Sequence, residues 1–89
     1  MTSHIGLQKS ELDTPALLLD LDDFEKNLVR MQSYLDEHSV SLRPHFKAHR
    51  TPDITRRQIE RGAQGVTCAK LGEAEHLASL GFDNLLVAN

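Results

Sequence analysis

The sequence of 89 residues contains a single cysteine, Cys68. An internal disulfide is therefore excluded, and so is a cluster of thiolates around a metal ion. Apolar runs are also short, and none approaches the roughly 20 residues that a helix needs to cross a bilayer. Residues 1–10 lack the basic and then apolar layout of a secretory signal peptide. These absences predict a protein of a reducing, cytoplasmic compartment that has no membrane partner.

Glycine-rich phosphate loops are missing as well, because the glycines at 62, 65, 72 and 81 are too scattered for a dinucleotide-binding or P-loop motif. The net charge of −3 gives no overall attraction to nucleic acid. Charge is nevertheless uneven, since residues 11–37 hold eight acids and residues 43–61 hold six bases. The second segment predicts a local basic field that attracts a small anion. Within it, we expect a solvated helix face made by Arg56, Arg57 and Arg61.

The length allows one domain, and 39% hydrophobic with 26% charged residues is typical of a globular chain. Residues 1–13 predict an extended lead-in, and the apolar run 16–19 predicts a buried strand. Asp20 is then the expected N-cap of a helix that fades near residues 37–38. Its apolar stripe consists of Leu21, Phe24, Leu28, Met31 and Leu35.

From Val40 onward the pattern predicts β-α-β-α-β with short connections, which favours parallel strands and right-handed crossovers. The strands are expected at 40–46, 65–69 and 84–88, and the helices at 52–61 and 71–80. Gly62 and Gly81 are expected to close the two helices in the left-handed conformation. Three parallel strands with open edges have too little core to stand alone. We therefore expect the N-terminal portion of a (β/α)₈ barrel, incomplete in this chain, or dependence on a partner.

The most unusual stretch runs from residue 41 to residue 52. With the two-residue period of a strand, one face carries Arg43, His45, Lys47 and His49. A polar face turned to solvent would normally include acids, but none occurs before Asp53. Thr51 and Pro52 predict a helix start, so Lys47 is placed where a strand gives way to a helix. In α/β proteins, catalytic and ligand-binding residues lie at that edge of the sheet, the carboxyl ends of the strands.

Lys47 is accordingly a candidate nucleophile. An arbitrary lysine is more often a solvated surface charge, but this one shares its predicted face with two histidines and an arginine. Nearby cations and any burial disfavour the charged ammonium and favour the free amine that a Schiff base requires. The residues alone leave both interpretations open.

His45 and His49 are four residues apart, which would be zinc-ligand spacing on a helix. Pro44 and the strand pattern argue against a helix here, and the glutamate of the metalloprotease motif is missing. We interpret both histidines as hydrogen-bonding wall residues and expect no metal ligands in this chain. Cys68 is predicted to fill the core as part of a buried strand rather than to act as a nucleophile.

Residues 42–52 resemble the lysine segment of the D-threonine aldolase and eukaryotic-type D-serine dehydratase family, which reads Arg-Pro-His-x-Lys-x-His and then Lys or Arg. Here the segment stands as Arg43-Pro44-His45-Phe46-Lys47-Ala48-His49-Arg50. The flanking matches are Thr14-Pro15-Ala16-Leu17, Leu19-Asp20-Leu21, Gly65-Val66-Thr67-Cys68-Ala69, Gly72-Glu73-Ala74-Glu75 and Leu85-Leu86-Val87-Ala88-Asn89. The resemblance covers residues 14–89 and extends, more distantly, to the N-terminal barrel domain of alanine racemases.

The resemblance implies a fold-type III enzyme that uses pyridoxal 5′-phosphate, with a (β/α)₈ barrel followed by a β-rich domain. Residues 1–89 would be an N-terminal fragment of the barrel domain, and strand 16–19 would pack with the C-terminal domain. The resemblance further implies Lys47 as the Schiff-base lysine, with His45, His49 and Arg43 as additional cofactor contacts. It also implies a divalent metal (Mn, Mg or Zn) whose ligands lie outside this chain, so we expect the 89 residues alone to be inactive.

The implied reaction is that of a lyase on β-hydroxy-D-amino acids, most like the cleavage by D-threonine aldolase to glycine and an aldehyde. Deamination of the D-serine dehydratase kind shares the Lys47 motif and stays an alternative. An amino-acid racemase fits less well, because its lysine segment differs. A pyridoxal-phosphate carrier or regulatory protein would need only Lys47 and a phosphate site. The expected partner is a small D-amino acid rather than nucleic acid or membrane, and a homodimer stays open.

Overall fold

The structure is a computed structural model and describes residues 5–88. The predictions for residues 1–4 of the lead-in and for Asn89 lie outside this range. The helices are Leu21–Glu37 (α1), Pro52–Glu60 (α2) and Leu71–Ser79 (α3), and the strands are Val66–Cys68 (β1) and Leu85–Val87 (β2). Short 3₁₀ turns occur at Lys9–Glu11 and Phe46–Ala48. Within residues 5–88, no helix combines the length and hydrophobicity that crossing a membrane requires.

A local sequence signal explains the start of α1. Asp20 is the N-cap, and its side chain accepts a hydrogen bond from the Asp23 backbone N–H at 3.0 Å. This bond satisfies one of the backbone donors that a helix start leaves unpaired. The helix ends at Glu37, with His38 as the C-cap. The predicted start and end of this helix are thus confirmed.

The next two helices also end where their glycines predict. Gly62 follows α2 with a φ of +123°, and Gly81 follows α3 with a φ of +93°. Both angles lie in the left-handed region that favours glycine, as the closing role requires. Thr51 occupies the predicted N-cap position of α2, but its Oγ1 donates to the His49 carbonyl oxygen at 2.9 Å instead of capping the helix.

Strands β1 and β2 pair in parallel, with Val66 opposite Leu85 and Cys68 opposite Val87. Helix α3 connects them, so the predicted β-α-β unit is confirmed. The predicted first strand, 40–46, is wrong in extent: it is reduced to one parallel bridge between His45 and Thr67. The carbonyl oxygens of Leu42 and Pro44 accept from the backbone N–H groups of Gln64 and Thr67, and the Arg43 carbonyl oxygen accepts from the Thr67 hydroxyl group. The segment then turns into a 3₁₀ helix at Phe46.

The apolar run 16–19 departs from its prediction. It was expected to be a buried strand, but all four of its residues are exposed and none is in a strand. A strand requires a neighbour that shares its backbone hydrogen bonds. Within residues 5–88, no strand pairs with this run. The apolar side chains of this run are therefore exposed in the structure, although their composition is typical of a buried strand.

The core lies between the sheet and helix α3. Its fully or nearly buried members are Phe46, Val66, Cys68, Ala74, Leu77 and Phe82, with Ile59 and Leu85 packed against them. Cys68 is completely buried, which confirms its prediction as a core residue. Burial, followed by the charge of Glu73, raises the pKa of the Cys68 thiol. The thiol is therefore held in its unreactive, protonated form.

The expected solvated face of α2 is confirmed, since Arg56, Arg57 and Arg61 are all exposed, but each of these arginines also has a partner. Arg57 and Arg61 both pair with Glu25 on α1, at 2.8 and 2.7 Å. Arg56 lies over the ring of Phe82, 4.8 Å from its centre. The ion pairs join α1 to α2 across their exposed edges. These contacts link residues more than 30 positions apart, which a local charge pattern does not reveal.

Candidate active site around Lys47

Lys47 lies in a tight turn, and the residue before it, Phe46, is anchored in the core. Phe46 is only 4% exposed, whereas Lys47 is exposed. The Phe46 carbonyl oxygen accepts from the backbone N–H of Arg50 at 2.7 Å and of His49 at 3.2 Å, which closes the turn. Arg50 has a φ of +52°, so the chain reverses sharply before α2. The turn therefore projects Lys47 outward from a fixed base.

The imidazole of His45 caps this turn. Its Nδ1 atom accepts a hydrogen bond from the backbone N–H of Lys47 at 3.1 Å. The backbone of His45 is itself fixed by the bridge to Thr67 on β1. The structure thus brings His45 and Lys47 together, but through the Lys47 backbone rather than through its side chain.

His49 makes the same kind of contact as His45, four residues later in the chain. Its Nδ1 atom accepts from the backbone N–H of Thr51 at 2.9 Å, and its Nε2 atom is buried without a hydrogen-bond partner in the part of the chain that the structure describes. Burial is the larger influence on the ring and lowers the pKa of His49, whereas the nearby Gln58 side chain acts in the opposite direction. His49 is accordingly biased towards the neutral form.

His49 departs from the predicted polar face of Arg43, His45 and Lys47. Its side chain lines a hollow between α1 and α2, together with Phe24, Leu42 and Ile54. Leu42 belonged to the opposite face in the strand pattern. The 3₁₀ turn at Phe46–Ala48 is the physical reason, because it interrupts the two-residue alternation between His45 and His49.

Arg43 is engaged at the other end of the sheet. Its Nη1 atom donates to the Asn84 carbonyl oxygen at 2.7 Å, and its Nη2 atom donates to the Asn84 Oδ1 atom at 2.8 Å. Asn84 directly precedes β2, and its side-chain nitrogen donates in turn to the Gln64 carbonyl oxygen at 2.7 Å, just before β1. Arg43 therefore ties the amino ends of the strands together, whereas Lys47 follows the carboxyl end of its segment.

Glu73 is a residue that sequence reasoning did not assign to the site. Its Oε1 atom accepts from the backbone N–H groups of Ala69 at 2.7 Å and Lys70 at 3.3 Å. Its Oε2 atom lies 4.0 Å from the Nε atom of Arg50, at the end of the Lys47 turn. A glutamate three residues after a helix N-cap is the usual signal for such a contact. The N-cap residue is Lys70 rather than serine or threonine, so the signal was incomplete.

The Lys47 side chain meets the first requirement for covalent attachment of an aldehyde cofactor, since its ammonium group makes no hydrogen bond or ion pair within residues 5–88. A primary amine free of partners is the group that forms a Schiff base. In the same range, no three histidine, cysteine, aspartate or glutamate side chains are grouped so as to hold a metal ion. The exposed Lys47 amine is therefore chemically able to react with a carbonyl group.

Residues 19–88 match the sequence profile of the family described as "Alanine racemase, N-terminal domain". The chain is also 45% identical, over 80 residues, to a D-threonine aldolase from Arthrobacter sp. That alignment covers 90% of this chain and 21% of the relative. The chain therefore spans about a fifth of the length of the curated relative it matches.

Two solved structures share the fold. A D-threonine aldolase from Filomicrobium marinum is 49% identical with a TM-score of 0.82, over 84% of this chain and 20% of that chain. A D-threo-3-hydroxyaspartate dehydratase from Delftia sp. HT23 is 39% identical with a TM-score of 0.85, over 89% and 21% of the two chains. These overlaps confirm the predicted fold class, an N-terminal portion of a fold-type III (β/α)₈ barrel, and the predicted resemblance.

Proposed function

This chain belongs to the family of the alanine racemase N-terminal domain, and we propose that it is the lysine-bearing part of a pyridoxal-phosphate-dependent lyase. The favoured substrates are β-hydroxy-D-amino acids, and the favoured reaction is that of a D-threonine aldolase. Support comes from the two aldolases that are 45% and 49% identical to this chain. Because the chain covers only about a fifth of each, the activity is proposed for the polypeptide that contains it.

The observation that carries the proposal is the presentation of Lys47. The residue follows the carboxyl end of the first extended segment, in a turn anchored by Phe46 and capped by His45. Its ammonium group has no partner within residues 5–88 and is open to solvent.

Pyridoxal phosphate, when bound, supplies a pyridine ring that accepts the electrons released as a bond to the amino-acid Cα breaks. The chain's own part is to provide the Lys47 amine for covalent attachment and to fix the position of its backbone. His45 supplies that fixation through the Lys47 N–H. We do not assign the cofactor to Arg43, since both of its terminal nitrogens already donate to Asn84.

A dehydratase is the second candidate, because the Delftia enzyme matches 89% of this chain with a TM-score of 0.85. Both reactions begin with the same cofactor and the same kind of substrate. In the aldolase the Cα–Cβ bond breaks, and in the dehydratase the Cα–H bond breaks and the β-hydroxyl group leaves. The choice between them depends on groups that act at the β-carbon.

The metal that the resemblance implies would have its ligands in other parts of the polypeptide. Residues 5–88 offer no suitable group of side chains for it. We also propose a reducing, cytoplasmic location. This rests on a single cysteine that is fully buried and unavailable for a disulfide. A homodimer is compatible with the proposal and would be identified by sedimentation equilibrium.

One substrate separates the candidates. D-threo-3-hydroxyaspartate yields glycine and glyoxylate in equal amounts if the Cα–Cβ bond is cleaved, and oxaloacetate and ammonia if water is lost. We expect glycine and glyoxylate from the purified polypeptide with pyridoxal phosphate, and glycine and acetaldehyde from D-threonine. L-threonine and the Lys47→Ala variant serve as controls. Neither product pair from a folded protein, or exchange of D- and L-alanine alone, would overturn the lyase proposal.

A further inference from the structure

The two histidines that flank Lys47 make the same unusual contact. In each, the ring Nδ1 atom accepts the backbone N–H of the residue two positions later: Lys47 for His45, at 3.1 Å, and Thr51 for His49, at 2.9 Å. Asparagine, aspartate and serine side chains commonly cap turns in this way. Here two imidazoles take that role on either side of the lysine.

The contact determines where each ring carries its proton. A nitrogen that accepts a hydrogen bond cannot carry a proton, so a neutral ring of His45 or His49 must be protonated on Nε2. His38, at the end of α1, provides the opposite case within the same chain. Its Nδ1 atom lies 2.8 Å from the Tyr34 carbonyl oxygen, which can only accept, so the proton of that ring belongs on Nδ1.

A continuous set of contacts leads from the sheet to Lys47 through His45. Thr67 on β1 donates its backbone N–H to the Pro44 carbonyl oxygen at 2.9 Å and its Oγ1 hydroxyl to the Arg43 carbonyl oxygen at 3.2 Å. These bonds fix the chain just before His45. The ring of His45 then holds the backbone N–H of Lys47. No other side chain within residues 5–88 accepts from that N–H.

We propose that His45 is a positioning residue for Lys47: a neutral imidazole, protonated on Nε2, that sets the turn from which the lysine projects. The inference deepens the proposed function and rests on Lys47 as the point of cofactor attachment. In this role the His45 Nδ1 atom accepts the Lys47 N–H. The same atom therefore cannot also bind a cofactor or a metal. Without the cap, the Lys47 backbone would lose one of its links to the sheet.

The first test reads the proton directly. The protein is labelled with ¹⁵N-histidine, and long-range ¹H–¹⁵N spectra of the cofactor-free form are recorded at neutral pH. The signals of His45 and His38 are assigned by their loss in His45→Asn and His38→Asn. We expect His45 to be protonated on Nε2 and His38 on Nδ1. A His45 ring that carries its proton on Nδ1, or on both nitrogens, would overturn the proposal.

The second test follows cofactor attachment, measured as the rate at which the visible absorbance band develops after pyridoxal phosphate is added. His45→Leu removes the acceptor and should slow attachment about fivefold, the factor that corresponds to one net hydrogen bond. His45→Asn retains an acceptor that caps turns, and it should stay within about twofold of the wild type. His38→Leu, which removes a ring bonded elsewhere, is the matched control and should not change the rate.

Together, the two tests distinguish a failure of the His45 proposal from a failure of the proposed function. Attachment to His45→Leu at the wild-type rate, or equal losses in His45→Leu and His45→Asn, would show that the ring does not position Lys47. If the wild type attaches no cofactor at all, the proposed function fails, and the kinetic role of His45 fails with it. The ring spectra still decide in that case whether His45 caps the turn, because they are recorded without cofactor.

Discussion

Arg43 reaches across Gly65 to bind Asn84 through two hydrogen bonds, of 2.7 Å to its carbonyl oxygen and 2.8 Å to its Oδ1 atom. A fork of two donors that meets two oxygens is a geometry that arginine provides and lysine does not. The absent side chain of Gly65 makes the crossing feasible. A Cβ atom there would lie 2.6 Å from the Arg43 Nη1 atom and closer still to the Asn84 carbonyl oxygen.

Gly65→Ala should therefore destabilise the protein. The added methyl group would force apart the two residues that tie the amino ends of the strands, and overpacking of this kind costs about 1–3 kcal/mol. The measurement is the urea midpoint of unfolding. Gly72→Ala is the matched control, because a Cβ atom at Gly72 in α3 meets nothing within 4 Å. It should stabilise by about 0.5–1 kcal/mol, and a loss equal to that of Gly65→Ala would contradict the crossing.

Glu73 has two sets of contacts, and we expect only one to contribute to stability. Its Oε1 atom accepts from two backbone N–H groups, whereas its Oε2 atom lies 4.0 Å from an Arg50 side chain that is 71% exposed. Glu73→Ala should cost about 1 kcal/mol, as the loss of a helix-start contact does. Arg50→Gln should change stability by less than about 0.5 kcal/mol, because exposed ion pairs contribute little. Equal effects in chemical denaturation would contradict this division.

The ion pairs of Glu25 should depend on salt. Hydrogen bonds from Arg61 and then Arg57 lower the pKa of the Glu25 carboxyl group, so the folded state favours its charged form. Glu25→Gln should lower the unfolding midpoint modestly at low salt, and the difference from wild type should shrink as salt screens the charges. Asp22→Asn, on the same helix, is the control. A difference that does not change with salt would show that the pairs are not electrostatic in origin.

His49 should make stability depend on pH. Burial lowers the pKa of its ring below the ordinary value of 6.5, so the unfolded chain binds a proton more readily than the folded one. The stabilisation by the neutral ring is present above the ordinary value and is lost as pH falls through it towards the lower folded-state pKa. His49→Leu should flatten this part of the stability profile between about pH 5 and pH 7.5. An unchanged slope in His49→Leu would contradict the assignment.

Features governed by neighbours in the sequence were predictable. Asp20, Gly62 and Gly81 mark helix ends because capping depends on a few adjacent residues, and all three occupy their predicted places. The position of Lys47 between an extended segment and α2 was predictable for the same reason. The family resemblance came from a contiguous motif around this lysine, and the matching profile and structures confirm it.

Features that depend on residues distant in the sequence could not be predicted from the sequence. The bond between Arg43 and Asn84 joins residues 41 positions apart, and no local pattern indicates it. The apolar run 16–19 has the composition of a buried strand, yet burial depends on a neighbouring strand that residues 5–88 do not provide. The 3₁₀ turn at Phe46–Ala48 moved His49 off the predicted face, because alternation assumes an unbroken strand.

The most direct measurement on Lys47 is the visible absorbance spectrum of the polypeptide that contains this chain, with added pyridoxal phosphate, before and after borohydride reduction. Peptide mapping then locates the reduced cofactor. We expect an absorbance band that reduction removes, with the cofactor fixed to the peptide that carries Lys47, and no band in Lys47→Ala. A cofactor fixed to a different lysine, or no band from the folded wild type, would contradict the assignment of Lys47.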